Sequence, residues 1–176
     1  MARDGVAMII TLAQKQVIRR SWELVVPIAD TAADLFYKRL FEIEPEARTL
    51  FSEDMAPQKK KLLAMLAFIV KSLDWPDETW RQPVHADDDL FLVVLALGRR
   101  HADLYHVRDA SYDSVGAALL WTLDYGLGEA FTAEVRDAWT RVFGLLATTM
   151  KMGKCAVGDG SVVARPATAR REVSGS

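Results

Sequence analysis

The chain has 176 residues, 51% of them hydrophobic, and its 22 basic and 24 acidic residues leave a net charge of −2. Such a chain buries roughly 70% of the surface it exposes when unfolded, so it carries a core of its own, and disorder of the whole chain is excluded. The near-balanced charge gives no electrostatic footprint for DNA or RNA. The longest apolar runs, Leu62–Val70 and Leu90–Leu97, fall well short of the roughly 18 residues that span a bilayer.

In chain order, Thr11-Leu12-Ala13-Gln14 reads as a capping box, the hydroxyl and the amide each satisfying an orphan backbone group. The helix it opens is expected to reach Val26, where Pro27 stops it. A second helix is expected from Ile28 to Phe41, ahead of Pro45, and a short helical turn over Glu46–Phe51. Pro57 suits the first position of a third helix ending near Leu73, with Leu62, Met65, Leu66 and Ile69 as its apolar stripe. Pro76, Pro83 and Asp87-Asp88-Asp89 mark Asp74–Asp89 as a loop. Leu90 to Tyr105 is helical again. Asp109 or Ser111 caps the next helix, which ends at Gly126, and Thr132 opens the last long one. From Gly153 the chain loses periodicity and reads as a disordered tail. The expected layout is an N-terminal extension over residues 1–10, one all-α domain over 11–152 of six to seven crossed helices, and a tail over 153–176.

Nucleotide-binding motifs fail. Gly126-Leu127-Gly128 is followed by Phe131 where a dinucleotide fingerprint needs glycine, and Thr148 stands where a phosphate loop ending at Gly153-Lys154 would begin. There is no His-Glu-x-x-His pair, and the single cysteine, Cys155, forms neither an intramolecular disulfide nor a Cys-x-x-Cys-His haem attachment. Of the three histidines, His85 falls in the loop, and His106 stands just past the helix that ends at Tyr105. His101 shares a stripe with Val94, Leu97 and Leu104. A histidine there is either a satisfied core residue or a metal ligand, since neutral imidazole is the commonest protein ligand of haem iron. Tyr37 and Gln58 also intrude on apolar stripes, and a buried phenol or amide without a partner costs on the order of 1–3 kcal/mol. Each can bond a nearby carbonyl, or both can point at one ligand.

Further landmarks fall in order: Arg20-Ser21-Trp22; Leu35-Phe36-Tyr37-Lys38-Arg39-Leu40-Phe41, then Glu44-Pro45-Glu46 and Leu50-Phe51; Leu97-Gly98-Arg99-Arg100-His101; Tyr112 with Val115-Gly116 and Leu119-Leu120; and Ala138-Trp139. Over Thr11–Met152 this series resembles the globins, in particular bacterial single-domain globins and the haem domain of flavohaemoglobins. The resemblance implies a globin-like fold around a haem b pocket. It makes His101 the proximal iron ligand, Phe51 the residue that stacks on the haem, Tyr37 and Gln58 the distal polar pair, and Leu62 the distal wall. Lys61 would meet a propionate, and Leu97, Val107, Tyr112 and Val115 would line the proximal and inner pocket. The glutamate that the family places near the proximal histidine corresponds here to Lys154.

The implied function is reversible binding of O2, CO or NO at a five-coordinate ferrous iron, with slow oxygen release because two groups donate to the ligand. Nitric oxide dioxygenation with a separate flavin reductase is an enzymatic use of the same site. The alternative is a haemless globin-like interaction or sensor module in which these polar residues are satisfied within the core. No leader pattern of basic region, apolar run and small-residue cleavage site stands at the N-terminus. The expectation is therefore a cytoplasmic protein, monomeric or weakly dimeric, without nucleic-acid or membrane partners.

Overall fold

The computed structural model describes residues 10–73, 90–105 and 107–155. The expected Asp74–Asp89 loop, His85, His106, the first residues and the tail beyond Cys155 lie outside them. The described residues form six α-helices joined in part by short 3-10 turns, with no strand among them. The helices are α1 (Leu12–Val25), α2 (Ala29–Ile43), α3 (Ala56–Ser72), α4 (Leu90–Tyr105), α5 (Asp109–Leu127) and α6 (Ala133–Cys155). No helix among the described residues is long and apolar enough to cross a membrane.

Local chemistry accounts for most of the ends. The capping box is present: Gln14 N–H donates to Thr11 Oγ1 at 3.2 Å, and Thr11 N–H donates back to Gln14 Oε1 at 3.0 Å. Pro27 ends α1 as expected, and the chain tightens into a 3-10 turn over Val26–Ile28 before α2. In α3, Pro57 takes the second helical position, because Asp54 accepts from the Ala56 N–H at 3.0 Å and starts the helix one residue earlier. The start of α5 differs more. Arg108 is its N-cap and makes no side-chain cap, while Ser111 lies inside the first turn with its hydroxyl donated elsewhere. Thr132 Oγ1 accepts from Val135 N–H at 3.4 Å, as a cap of α6 should.

One core joins the helices. Ile18 and Val25 of α1, Phe36 and Leu40 of α2, Ile69 of α3, Val94 of α4, Leu123 of α5, and Trp139 and Val142 of α6 belong to a single buried cluster. Pairing is between elements distant in sequence: α4 packs on α6, α2 on α5, and α1 on α6. The α1–α6 contact is specified by a polar link inside the core. Trp139 Nε1–H donates to Ser21 Oγ at 2.9 Å, and Ser21 Oγ–H donates to the Ile18 carbonyl at 2.9 Å. A buried indole N–H needs such a partner, which explains the serine beside Trp22.

The α4–α6 contact depends on two glycines. A Cβ on Gly98 would fall on the Met150 carbonyl oxygen and 2.6 Å from Met150 Cα. A Cβ on Gly153 would meet the Leu95 carbonyl in return. Backbone touches backbone at both points, so no side chain can turn aside. This is also why α6 continues to Cys155, past the residue where periodicity fades: Gly153 is buried against α4.

Candidate functional site

Two groups of candidate residues emerge. The first is aromatic and lies where α2, the following turn and α3 meet. Tyr37 is buried, and its ring lies edge-on to Phe36 at 5.0 Å and to Phe51 at 5.5 Å, with Phe41 at 6.0 Å. Burial raises the Tyr37 phenol above its usual pKa, and the Gln58 side chain, within hydrogen-bonding reach, opposes that shift. The phenol is therefore a protonated donor at any physiological pH. Gln58 is half-buried on the first turns of α3. Leu62, one turn further, is half-buried and helps to wall a small apolar cavity of about 20 Å3 together with Ala33 and Phe36. Lys61 is exposed on the same helix.

Phe51 is held by its neighbours. Arg48 donates to the Phe51 carbonyl at 2.9 Å and to the Ser52 carbonyl at 3.2 Å, while its guanidinium lies over the Phe41 ring. The landmark series contains neither Arg48 nor a reason for it. The signal was a basic residue three positions before an aromatic, which is too common to read in advance.

The second group lies on α4 and the start of α5. Leu97 and His101 are half-buried one turn apart on α4, with Val94 fully buried on the same stripe. The His101 carbonyl accepts from the Val107 N–H at 3.2 Å, which fixes where the chain turns into α5. Val107 and Val115 are half-buried, and Tyr112 is buried with Lys151 of α6 over its ring at 5.6 Å. Burial, helped by the charge of Arg100, holds the His101 imidazole below its usual pKa. It is thus neutral at pH 7, and one ring nitrogen keeps a lone pair for a metal. The Lys154 side chain falls outside the described residues.

Glu44 joins the two groups. It lies between Phe41 and Phe51 in sequence and accepts from Ser111 Oγ at 2.7 Å and from Arg108 at 3.1 Å. Arg108 also reaches Glu46 at 3.0 Å. The corner beside Phe51 is thereby tied to the residues beside Val107 and Tyr112. The Ser111 hydrogen bond, with help from Ser114 and Arg108, holds the Glu44 carboxyl below its usual pKa against the effect of burial.

Glu44→Gln is expected to cost about 1.5–3 kcal/mol, the range for a hydrogen bond to a charged group. Because the folded pKa is depressed, this stabilisation is complete above the usual glutamate pKa of about 4.3 and fades as pH falls through the lower folded value. Urea unfolding of parent and variant at neutral and acid pH should show the gap closing in acid. An equal gap at both would show that the charge of Glu44 is irrelevant.

One all-helical body thus carries a neutral imidazole on an apolar stripe and, tied to it through Glu44, an aromatic group with a buried phenol and an amide. A sequence pattern shared by the family described as Globin matches residues 34–150. The chain therefore belongs to the globin family, whose members bind haem and, through it, small gaseous ligands. Among curated proteins it is similar to neuroglobin of Danio rerio, 31% identical over 146 residues that cover 79% of this chain and 89% of the relative. It is also similar to neuroglobins of Chaenocephalus aceratus (30%, 79% and 89%) and Tetraodon nigroviridis (28%, 79% and 89%). The motifs pointed to the right family. These relatives are vertebrate neuroglobins rather than the bacterial haem domains that the motifs resemble.

Proposed function

We propose that the chain holds haem b through His101 and that the haem would bind O2, and likewise CO and NO, reversibly, with Tyr37 and Gln58 placed to donate to the ligand. The buried Tyr37 phenol with Gln58 beside it carries this reading. A hydroxyl kept protonated within an aromatic cluster is a preformed donor, and forming it costs nothing when a ligand arrives.

The donor set fits an iron porphyrin. Among the described residues no three His, Cys, Asp or Glu side chains gather into a metal-binding cluster. His101 can offer one bond to a metal whose other ligands arrive with it, as those of a porphyrin do. Ferrous haem supplies an open coordination position and the charge transfer that makes bound oxygen a hydrogen-bond acceptor. Phe51 would pack against the ring, Leu62, Leu97, Val107, Tyr112 and Val115 would form its apolar walls, and exposed Lys61 would meet a carboxylate at the rim. Nitric oxide dioxygenation supported by a separate flavin reductase would use the same donor pair.

Tyr37→Phe removes the donor and keeps the ring. Oxygen release, followed by stopped flow, should accelerate tenfold to a hundredfold, as loss of about 1.5–3 kcal/mol implies. Release at the parent rate would remove Tyr37 from the ligand's surroundings. Absence of a Soret band in the purified or haem-supplemented parent would overturn the haem reading itself.

A further inference from the structure

We infer that Glu44 is a positioning residue for the haem: its carboxylate, bonded to Arg108 and Ser111 at the start of α5, holds the corner that carries Phe51 in place and sets how fast the haem escapes. This rests on the haem reading above.

Hydrogen bonds and single peptide steps lead from Phe51 to His101. The Phe51 N–H donates to the Arg48 carbonyl at 3.3 Å, and the Ala47 N–H donates to the Glu44 carbonyl at 3.0 Å. The Glu44 carboxylate then crosses to α5, accepting from Ser111 Oγ at 2.7 Å and from Arg108 at 3.1 Å. Val107, the chain neighbour of Arg108, donates its N–H to the His101 carbonyl at 3.2 Å. One carboxylate thus joins the segment of Phe51 to the segment of His101.

Packing alone holds the corner less well. α2 packs on α5 but ends at Ile43. In the turn beyond it, Pro45, Glu46, Thr49 and Leu50 are exposed. Phe51 leans on Phe41 at 5.6 Å and on Tyr37 at 5.5 Å, both residues of α2 rather than α5. The Glu44 side chain, at the root of the turn, is only 13% exposed, so water competes poorly for its bond to Ser111. The outer arm is different, since the Arg108 and Glu46 side chains are 62% and 80% exposed, and such a pair contributes little. A haem bonded to His101 with Phe51 packed on it leaves when these two segments part. Parting them breaks a hydrogen bond to a charged group, which slows the opening by roughly tenfold to a hundredfold.

The test is haem transfer to a competing haem-binding protein from the haem-loaded parent and its Ser111→Ala, Glu44→Gln and Arg108→Gln variants, with thermal unfolding of each. Transfer should accelerate roughly tenfold to a hundredfold in Ser111→Ala and Glu44→Gln, and by less than about fivefold in Arg108→Gln. The two larger effects pass through one bond, so the double variant should lose haem no faster than the faster single one. Ser21→Ala is the control. It removes the acceptor of the Trp139 indole at the α1–α6 contact, so it should lower the unfolding temperature and leave transfer near the parent rate. A clear Soret band with parent-rate transfer in Ser111→Ala and Glu44→Gln would overturn the inference and leave the haem reading intact. Transfer rates that simply follow unfolding temperature, Ser21→Ala included, would reduce Glu44 to a structural residue and overturn it too. No Soret band in the parent would overturn both.

Discussion

Gly98→Val is expected to be the most damaging single change in the helical body, with a loss of about 3 kcal/mol or more. The new side chain would overlap the backbone of Met150, and backbone cannot rotate out of the way. Overpacking against adaptable side chains typically costs about 1–3 kcal/mol; here α6 itself would have to move. Better helix propensity returns less than about 1 kcal/mol. In a chain of this size, 3 kcal/mol lowers the midpoint of thermal unfolding by roughly 6–12 °C. Gly144 is the control, since a Cβ there meets nothing within 4 Å, and Gly144→Ala should raise stability by up to about 1 kcal/mol. If Gly98→Val melts with the parent, α4 and α6 do not touch at Gly98. His101 lies one turn beyond Gly98 on the same helix, so the valine variant should also lose its hold on haem.

His101→Ala separates the site from the scaffold. The imidazole is half-buried and its removal opens no deep cavity, so far-UV circular dichroism and the melting of the apoprotein should stay close to the parent. Haem retention should not. Changes to groups that merely orient a metal ligand cost tenfold to a hundredfold in affinity, and loss of the ligand itself should cost at least about a hundredfold. The readout is the rate of haem transfer to a competing haem-binding protein, together with the Soret position. Imidazole added to the solution should restore the spectrum by filling the space left by the side chain. A parent-like spectrum and transfer rate in His101→Ala would dismiss His101 as the iron ligand.

These two residues differ in how far the amino-acid pattern reveals them. His101 could be picked out because a polar ring breaks an apolar stripe, and that signal is local. Tyr37 and Gln58 stand out for the same reason, as do the Thr11–Gln14 cap and the stop at Pro27, each contained within a few residues. The role of Gly98 is invisible in sequence, since a glycine inside a helix reads as a weakness until Met150 is placed against it. Glu44 is similar. Its partners Ser111 and Arg108 lie 67 and 64 residues away, and the Glu-Pro-Glu corner says nothing of them. Ser111 looks like a helix cap in isolation, yet its hydroxyl goes to Glu44 because a charged acceptor is stronger than a backbone partner. The start of α3 moves by one residue and the end of α6 by three, because Asp54 and the close approach of α4 decide them, and helix propensity does not.

The bond between Ser21 and Trp139 spans 118 residues, and that between Gln14 and Asp137 spans 123. The first described helix thus has a large part of its docking surface on the last described one. Until α6 emerges, α1 can pack on α3 and α5 but lacks Trp139 and Val142 to complete its apolar contacts. Chains usually gain structure from the N-terminal end as they are made, but closure of this body has to wait for nearly the whole domain. Contacts so distant along the chain also slow folding relative to helical proteins whose neighbours in sequence are neighbours in space. A ribosome stalled before Trp139 would present an unfinished body with an exposed seam, whereas one stalled after Cys155 would carry every helix the structure describes.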